Sequence, residues 1–204
     1  MIGPVIRHGV LLQFSAHNNL VEKNTCFETT EDAYDLHGED EYANELRFNL
    51  AYWDDDSAPF GSPSGFGVGN TGATHDRSGP GNWIHHNEVM GYQLGIEVVQ
   101  QSHIVFLDAN KLYDNPVAGI RLHNGSGNSV WIRCNTISGS GVGVDAERGS
   151  AGLFVDGNFI NGNEIGVRTS GDLLDYRIIN NDLRGNESPV DLGDESGDYL
   201  DNRE

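Results

Sequence analysis

Lysine is almost absent from this chain of 204 residues, which has only Lys23 and Lys111 beside ten arginines. Aspartate and glutamate number 31, and the formal net charge is −19. Binding to nucleic acid through phosphate contacts needs a basic surface, and this composition excludes one. The chain also lacks an apolar run long enough to span a membrane as a helix, and residues 1–14 show no apolar core of a signal peptide.

Cysteine is equally scarce. Cys26 and Cys134 fall in different repeats and at different positions of the repeat, so we expect two buried free thiols and no disulfide. Glycine (27 residues) and asparagine (20 residues) make up almost a quarter of the chain, and both favour turns over long helices. The composition therefore argues against a mainly helical domain.

A repeat of about 22 to 25 residues runs through the sequence. Each copy has a small residue, two aliphatic residues separated by a variable one, a polar turn, a second apolar stretch and an asparagine. The clearest copies begin at Gly95, Gly119, Gly143 and Gly166, and about eight copies can be aligned. Short strands with a period of two, in units that must stack to bury their inner faces, predict an all-β, single-stranded right-handed parallel β-helix.

One asparagine closes each copy, and an aliphatic residue stands three positions before it every time. The asparagines are Asn24, Asn49, Asn87, Asn110, Asn135, Asn158 and Asn181. In stacked coils these side chains lie above one another and can hydrogen-bond from coil to coil. We interpret them as a structural ladder and assign them no catalytic role.

Charged residues alternate in sign at one outward position of successive copies, namely Glu97, Arg121, Asp145, Arg168 and Asp191. Stacked strands place equivalent positions side by side, so opposite charges there fix the strand register. The repeat itself extends over nearly the whole chain. We therefore expect one β-helix domain over residues 1–193, with an insertion at about residues 54–64 and an acidic polar tail at residues 194–204.

Chemically active side chains concentrate in the second coil and in the turn of the coil after it. They are Asp35, His37, Glu39, Asp40, Glu41, His75, Asp76 and Arg77. Three interpretations compete: acid–base chemistry on a sugar, a calcium site and a solvated acidic surface.

In the first interpretation, His75 transfers the proton, Asp35, His37 and Asp76 assist it, and Arg77 stabilises developing charge. Glu97, Arg121 and His123 would then bind substrate on the neighbouring coils. In the second interpretation, Glu39, Asp40 and Glu41 supply the hard oxygen ligands that calcium prefers. For the adjacent pair His85 and His86, a surface role is favoured over a metal site.

The asparagine-ended coils resemble the pectate-lyase-like superfamily of parallel β-helices. Residues 119–141 (GIRLHNGSGNSVWIRCNTISGSG) resemble the repeats of mannuronan C5-epimerases and of alginate and chondroitin lyases. Residues 73–76 (ATHD) are similar to the D-P-H-D motif of the epimerases, with His75 and Asp76 matching and Ala73 in place of the first aspartate.

This resemblance implies a polysaccharide partner, lyase or epimerase chemistry in a groove over coils 2–5, and calcium as a possible cofactor. The alternative is a non-catalytic glycan-binding or structural β-helix, such as a piece of a larger surface protein. We expect a monomer located outside the cell or on its surface. The acid-rich, lysine-poor composition also suggests adaptation to high salt, where charge repulsion is screened.

Overall fold

The computed structural model describes residues 1–4, 7–54, 63–69, 77–123, 128–147, 151–170, 175–193 and 197–204. This part of the chain contains 22 short strands and no helix. In chain order they are β1 (Val10–Leu12), β2 (Leu20–Glu22), β3 (Thr25–Phe27), β4 (Tyr34–Leu36), β5 (Glu45–Arg47), β6 (Leu50–Tyr52), β7 (Ser64–Val68), β8 (Asn82–His85), β9 (Glu88–Met90), β10 (Leu94–Val99), β11 (Val105–Asp108), β12 (Lys111–Tyr113), β13 (Ala118–His123), β14 (Asn128–Arg133), β15 (Thr136–Ser138), β16 (Val142–Ala146), β17 (Ala151–Asp156), β18 (Phe159–Asn161), β19 (Ile165–Thr169), β20 (Arg177–Ile179), β21 (Ser188–Leu192) and β22 (Asp198–Leu200).

The strands form three parallel sheets that wrap around one core. Sheet 1 has the order β1-β4-β7-β10-β13-β16-β19-β21 and sheet 2 the order β2-β5-β8-β11-β14-β17-β20-β22. Sheet 3 has the order β3-β6-β9-β12-β15-β18. Every strand thus pairs with its equivalent one coil away, which confirms the predicted parallel β-helix. The described strands complete about seven turns, slightly fewer than the eight counted in the sequence.

Aliphatic and aromatic side chains fill the interior of the solenoid in columns. One column of sheet 1 contains the fully buried Tyr34, Phe66, Ile96, Ile120, Val144 and Val167. The small residue that opens each repeat has a packing reason at Gly119, where an added Cβ would overlap the Ile137 side chain. The repeat therefore alternates large inward residues with a glycine that lets the coil close tightly.

The corner between sheets 2 and 3 explains the asparagine column. The residue before each ladder asparagine has a left-handed backbone, with φ between +53° and +65°; these residues are Lys23, Phe48, His86, Ala109, Cys134, Gly157, Asn180 and Asp201. Each ladder amide then hydrogen-bonds along the stack: Asn110 Nδ2 donates to Asn135 Oδ1 at 3.1 Å and to Ile84 O at 2.9 Å. This confirms the predicted ladder, which Asn202 extends by one rung.

Two further polar ladders were not predicted. Asn19, Asn44 and Asn82 hydrogen-bond in series at the turn before sheet 2. At the corner before sheet 1, Asn163 Nδ2 donates to Asn186 Oδ1 at 2.9 Å, and Asn163 Oδ1 accepts from the backbone N–H of Ser140 at 2.9 Å. All three corners of the solenoid thus use stacked polar side chains to satisfy turn backbone groups.

Several expectations about local structure change. Cys26 is buried as predicted, but the prediction of burial is wrong for Cys134, which is exposed because it occupies the solvent-facing corner position. Both thiols are free.

Most of the expected insertion, residues 55–62, lies outside the described residues. In the expected tail, β22 pairs with β20 and Asn202 joins the ladder.

The part of the chain that the structure describes contains no helix capable of crossing a membrane.

Candidate metal centre

Three polar side chains meet on the outer face of sheet 1 at its first coils. Asp35 and His37 are two residues apart and share a face, because side chains alternate along a strand. The main chain places His8 one coil away, since Gly9 N donates to Asp32 O at 3.2 Å and β1 pairs with β4. Residues 27 or more positions apart in sequence thereby become neighbours.

The cluster of His8, Asp35 and His37 is compact enough to hold one metal ion. One potential ligand atom from each residue lies within 4.8 Å of the others. Asp35 Oδ2 is 2.7 Å from His37 Nδ1 and 3.3 Å from His8 Nδ1. Glu31 adds a second carboxylate, with its Oε2 at 3.0 Å from His8 Nε2. The geometry brings two imidazoles and a carboxylate to a common point.

Burial makes this arrangement costly without a ligand. The side chains of His8, Asp35 and His37 are 7%, 0% and 12% exposed. Among the residues that the structure describes, neither ring nitrogen of His8 has a hydrogen-bond partner of acceptable geometry, and Asp35 Oδ1 has none either. A buried polar atom left unsatisfied typically costs about 1–3 kcal/mol. One ion bound through a single nitrogen of His8 and through Asp35 would satisfy two of these atoms, while the other nitrogen of His8 faces Glu31.

The protonation state of His8 suits a cation, whereas a metal would have to displace a proton from His37. Burial lowers the pKa of His8, outweighing the attraction of the Asp35 and Glu31 carboxylates, and a neutral imidazole is the form that coordinates metals. The hydrogen bond to Asp35 raises the pKa of His37. Burial, followed by repulsion from Asp35, raises the pKa of Asp32 to about 8. Asp32 therefore keeps its proton near neutral pH, because a second negative charge beside Asp35 is unfavourable, and a positive ion would reduce this repulsion.

The predicted catalytic residues are distributed differently from the expectation. Asp35 and His37 do come together, but with His8, which the sequence analysis did not single out. Arg77 pairs with Asp40, its Nε lying 2.7 Å from Oδ1, and the sequence places it after His75 and Asp76, which lie outside the described residues. The catalytic roles of the five predicted residues, Asp35, His37, His75, Asp76 and Arg77, stay predictions.

The three residues predicted to bind calcium make separate sets of contacts. The buried Glu41 carboxylate accepts backbone hydrogen bonds from Gly38 at 2.9 Å and Glu39 at 3.0 Å, which closes the turn. Glu39 Oε2 accepts from Phe14 N at 3.0 Å. Asp40 is exposed and held by Arg77. Calcium binding at Glu39, Asp40 and Glu41 therefore stays a prediction.

The predicted substrate-binding residues continue the outer face of sheet 1. Glu97 and Arg121 are register partners on β10 and β13, and His123 follows on the same face. Arg121 and His123 both contact the carboxylate of Glu147. Burial raises the pKa of Glu97. The three predicted residues lie next to one another on this face, although Arg121 and His123 already contact the carboxylate of Glu147.

The charge alternation along this face is confirmed by the register. Asp145 lies between Arg121 and Arg168, and Arg168 Nη2 contacts Asp145 Oδ2 at 2.7 Å. The closest carboxylate to Arg121 belongs to Glu147 and not to a residue of its own column. These arginines therefore hold the sheet together, as the pattern predicted.

A family model described as "NosD: Periplasmic copper-binding protein (NosD)" matches residues 4–203, nearly the whole chain. No curated protein and no solved structure matches.

Proposed function

Because the chain belongs to the NosD family, which is described as periplasmic copper-binding, we propose that it binds a Cu²⁺ ion at His8, Asp35 and His37. The observation that carries this proposal is the convergence of these buried groups, three of whose polar atoms have no hydrogen-bond partner in the described part of the chain. The protein is then a metal-holding β-helix that acts in the periplasm, and its role is binding and not catalysis.

The donor set fits copper in its oxidised state. Two imidazoles and a carboxylate are ligands that divalent copper accepts, whereas Cu⁺ selects soft thiolate and thioether sulfur. The cluster contains no cysteine or methionine. Among first-row divalent ions, copper binds a given nitrogen and oxygen site most tightly. A bound ion supplies positive charge, and Glu31 remains as a carboxylate beside His8 that can orient this ring.

The net charge of the chain supports a cationic ligand. Glu31 and Asp32 contact or approach His8, and Asp35 is in the cluster itself. Carboxylates around a partly closed site raise the local concentration of cations. The composition that excludes nucleic acid therefore favours a metal ion.

Copper titration of the untagged, chelator-stripped chain tests the proposal. We expect His8→Ala and Asp35→Asn each to remove one tight equivalent in calorimetry, together with its nitrogen-coupled electron paramagnetic resonance signal. His17→Ala is the matched control, because His17 is exposed, stacks on Tyr42 and lies outside the cluster. Circular dichroism melting shows whether each variant is folded.

Unchanged copper stoichiometry in folded His8→Ala and Asp35→Asn would contradict the assignment. So would tighter binding of calcium than of copper, since a calcium site would use oxygen ligands and be indifferent to His8. Loss of the tight equivalent in the His17→Ala control as well would show that the binding is not confined to the cluster.

A second candidate function is polysaccharide binding or processing on the same face. It is supported by the polar strip that continues from the metal cluster through Glu97, Arg121 and His123. Lyase activity would give unsaturated products, and epimerase activity would give solvent hydrogen exchange at C5 of a polyuronate. Incubation with polyuronates and neutral glycans, with and without calcium, tests both. No product, no exchange and no binding across this panel would exclude the candidate.

A further inference from the structure

Two adjacent histidines at the end of β8 point their rings at each other. In a regular strand, neighbouring side chains face opposite sides. His86 occupies the left-handed corner position, with φ of +54°, and this turn brings its side chain back towards His85. The Nδ1 atoms of the two rings are 2.8 Å apart. The corner backbone, which every coil shares, thus creates a pair of converging imidazole nitrogens on this coil.

His85 is also held on its other side. Its Nε2 is 3.0 Å from Glu45 Oε1, and Arg47 fixes the same carboxylate oxygen at 2.8 Å. Trp83 stacks on the ring at a centroid distance of 3.9 Å. A carboxylate on Nε2 keeps the proton on that nitrogen, so the lone pair of Nδ1 points towards His86. A carboxylate behind a histidine is the usual support of a metal-ligating imidazole.

We propose that His85 and His86 chelate a divalent transition-metal ion through their Nδ1 atoms, forming a second site on sheet 2. Two nitrogens at about 2.0 Å from an ion, in neighbouring positions of a square-planar or octahedral shell, lie about 2.8 Å apart. A tetrahedral ion such as zinc would need about 3.3 Å. The observed spacing favours Cu²⁺ or Ni²⁺.

Binding requires a change of tautomer at one ring and a rotation of the imidazoles, because nitrogens joined by a hydrogen bond point at each other and must turn towards a common ion. In the present arrangement a proton shared between the two Nδ1 atoms forms an N–H···N hydrogen bond. When the ion binds, that proton moves to Nε2 of His86, which is exposed, and both rings stay neutral. The metal replaces one hydrogen bond, and no net proton is released.

The surroundings leave room for the remaining ligands. A cavity of about 240 Å³ adjoins His86 and is lined by Phe48, Glu88, Ala109 and Lys111 among others. Waters in this space can complete the shell, and the Glu88 carboxylate offsets the Lys111 ammonium. His85 itself is only 6% exposed, so the ion would enter from the side of His86.

His86→Asn is the decisive variant, because Asn180 holds the equivalent corner of a later coil at φ of +56°. The measurement is quenching of tryptophan fluorescence by Cu²⁺ and Ni²⁺ in the full chain. A paramagnetic ion on His85 would lie beside Trp83 and quench it. We expect His86→Asn to raise the metal concentration needed for half-maximal quenching at least tenfold. We expect Trp83→Phe to remove most of the quenching signal without changing the number of metal ions that the chain binds.

Glu45→Gln keeps both ligands but weakens the support of His85, so we expect affinity to fall about 10- to 100-fold. His103→Ala is the control, since His103 is a partly exposed histidine away from this pair, with its Nδ1 at 3.2 Å from the Gln101 carbonyl oxygen. Quenching that survives His86→Asn unchanged, or no quenching in the wild-type chain, would overturn the proposal.

Running the same series in a His8→Ala, His37→Ala background separates the two sites. Quenching that persists there and disappears with His86→Asn supports the second site even if the first binds nothing. Loss of all quenching in that background, with His85 and His86 intact, would show that the His85 and His86 pair binds no metal of its own.

Discussion

Glu97 illustrates how a single side chain is affected by its place on the solenoid. It belongs to the charged column of sheet 1, next to Gly67 on one coil and Arg121 on the next. Burial nevertheless raises the pKa of its carboxyl group, although Arg121 and His123 oppose the shift. The folded chain therefore retains a proton on Glu97 at pH values where the unfolded chain has lost it.

The resulting pH dependence has a definite sign. The contribution of Glu97 to stability is present below its ordinary pKa and is lost as pH rises through the raised pKa of the folded state. We expect Glu97→Gln to increase the free energy of unfolding at pH 7 by on the order of 1 kcal/mol, with little effect at pH 4. Denaturant melts at both values measure it, with the exposed Asp191→Asn of the same column as control. A variant that is less stable at pH 7 would contradict this explanation.

His8 is the residue of the candidate site that the sequence did not reveal. Asp35 and His37 stood out because they are close together in an acidic segment. His8 lies in the first and least regular copy of the repeat, and its relation to Asp35 depends on the pairing of β1 with β4. The signal available was its position directly before Gly9, where the repeat begins. Aligning that copy strictly would have placed His8 beside Asp32.

At the scale of the elements, the strands were predictable and the corners only partly so. The period-two pattern and the regular spacing define the three sheets, because each inward position must be apolar. The ladder of seven asparagines was visible at intervals of 23 to 25 residues outside the insertion. The Asn19, Asn44 and Asn82 ladder was hidden because Val105 takes the place of asparagine on the next coil, and because the insertion separates the last two asparagines by 38 residues.

The ladder makes a quantitative prediction. Asn110 is buried, accepts hydrogen bonds from Asn87 and donates to Asn135 and Ile84. Asn110→Ala leaves several of these groups unsatisfied inside the solenoid, so we expect a loss of ~2–4 kcal/mol in the free energy of unfolding.

Asn202→Ala is the matched comparison, at the last rung of the same ladder. Its side chain is only partly buried, and water can replace the bonds it makes to Asn181 and Ile178. We expect a loss of about 1 kcal/mol or less by chemical denaturation. Equal losses at the two rungs would show that burial does not determine the strength of the ladder.

At the scale of the whole molecule, the net charge of −19 has two components. Many arginines are matched with carboxylates across neighbouring coils, as Arg133 is with Asp108 and Arg168 with Asp145. Carboxylates still outnumber basic side chains, and some of them surround the cluster of His8, Asp35 and His37. Self-repulsion of a surplus this large destabilises the compact state.

Salt should therefore stabilise the protein. The Debye length falls from about 10 Å at 0.1 M to about 3 Å at 1 M salt, which screens exposed carboxylates from one another. We expect the melting temperature to rise by several degrees between 0.1 and 1 M sodium chloride at pH 7. Equal melting temperatures at the two concentrations would contradict both this expectation and the proposed adaptation to high salt.

The left-handed corner before each ladder asparagine also has a practical meaning. Its backbone is the same in eight coils, while its side chain varies from lysine to phenylalanine, histidine, cysteine and aspartate. Successive corners are separated by about 4.8 Å, the spacing of paired strands. The corner positions thus form a row of evenly spaced side chains, each of which can be replaced separately. Functional groups could be placed along this row at fixed intervals without redesigning the core.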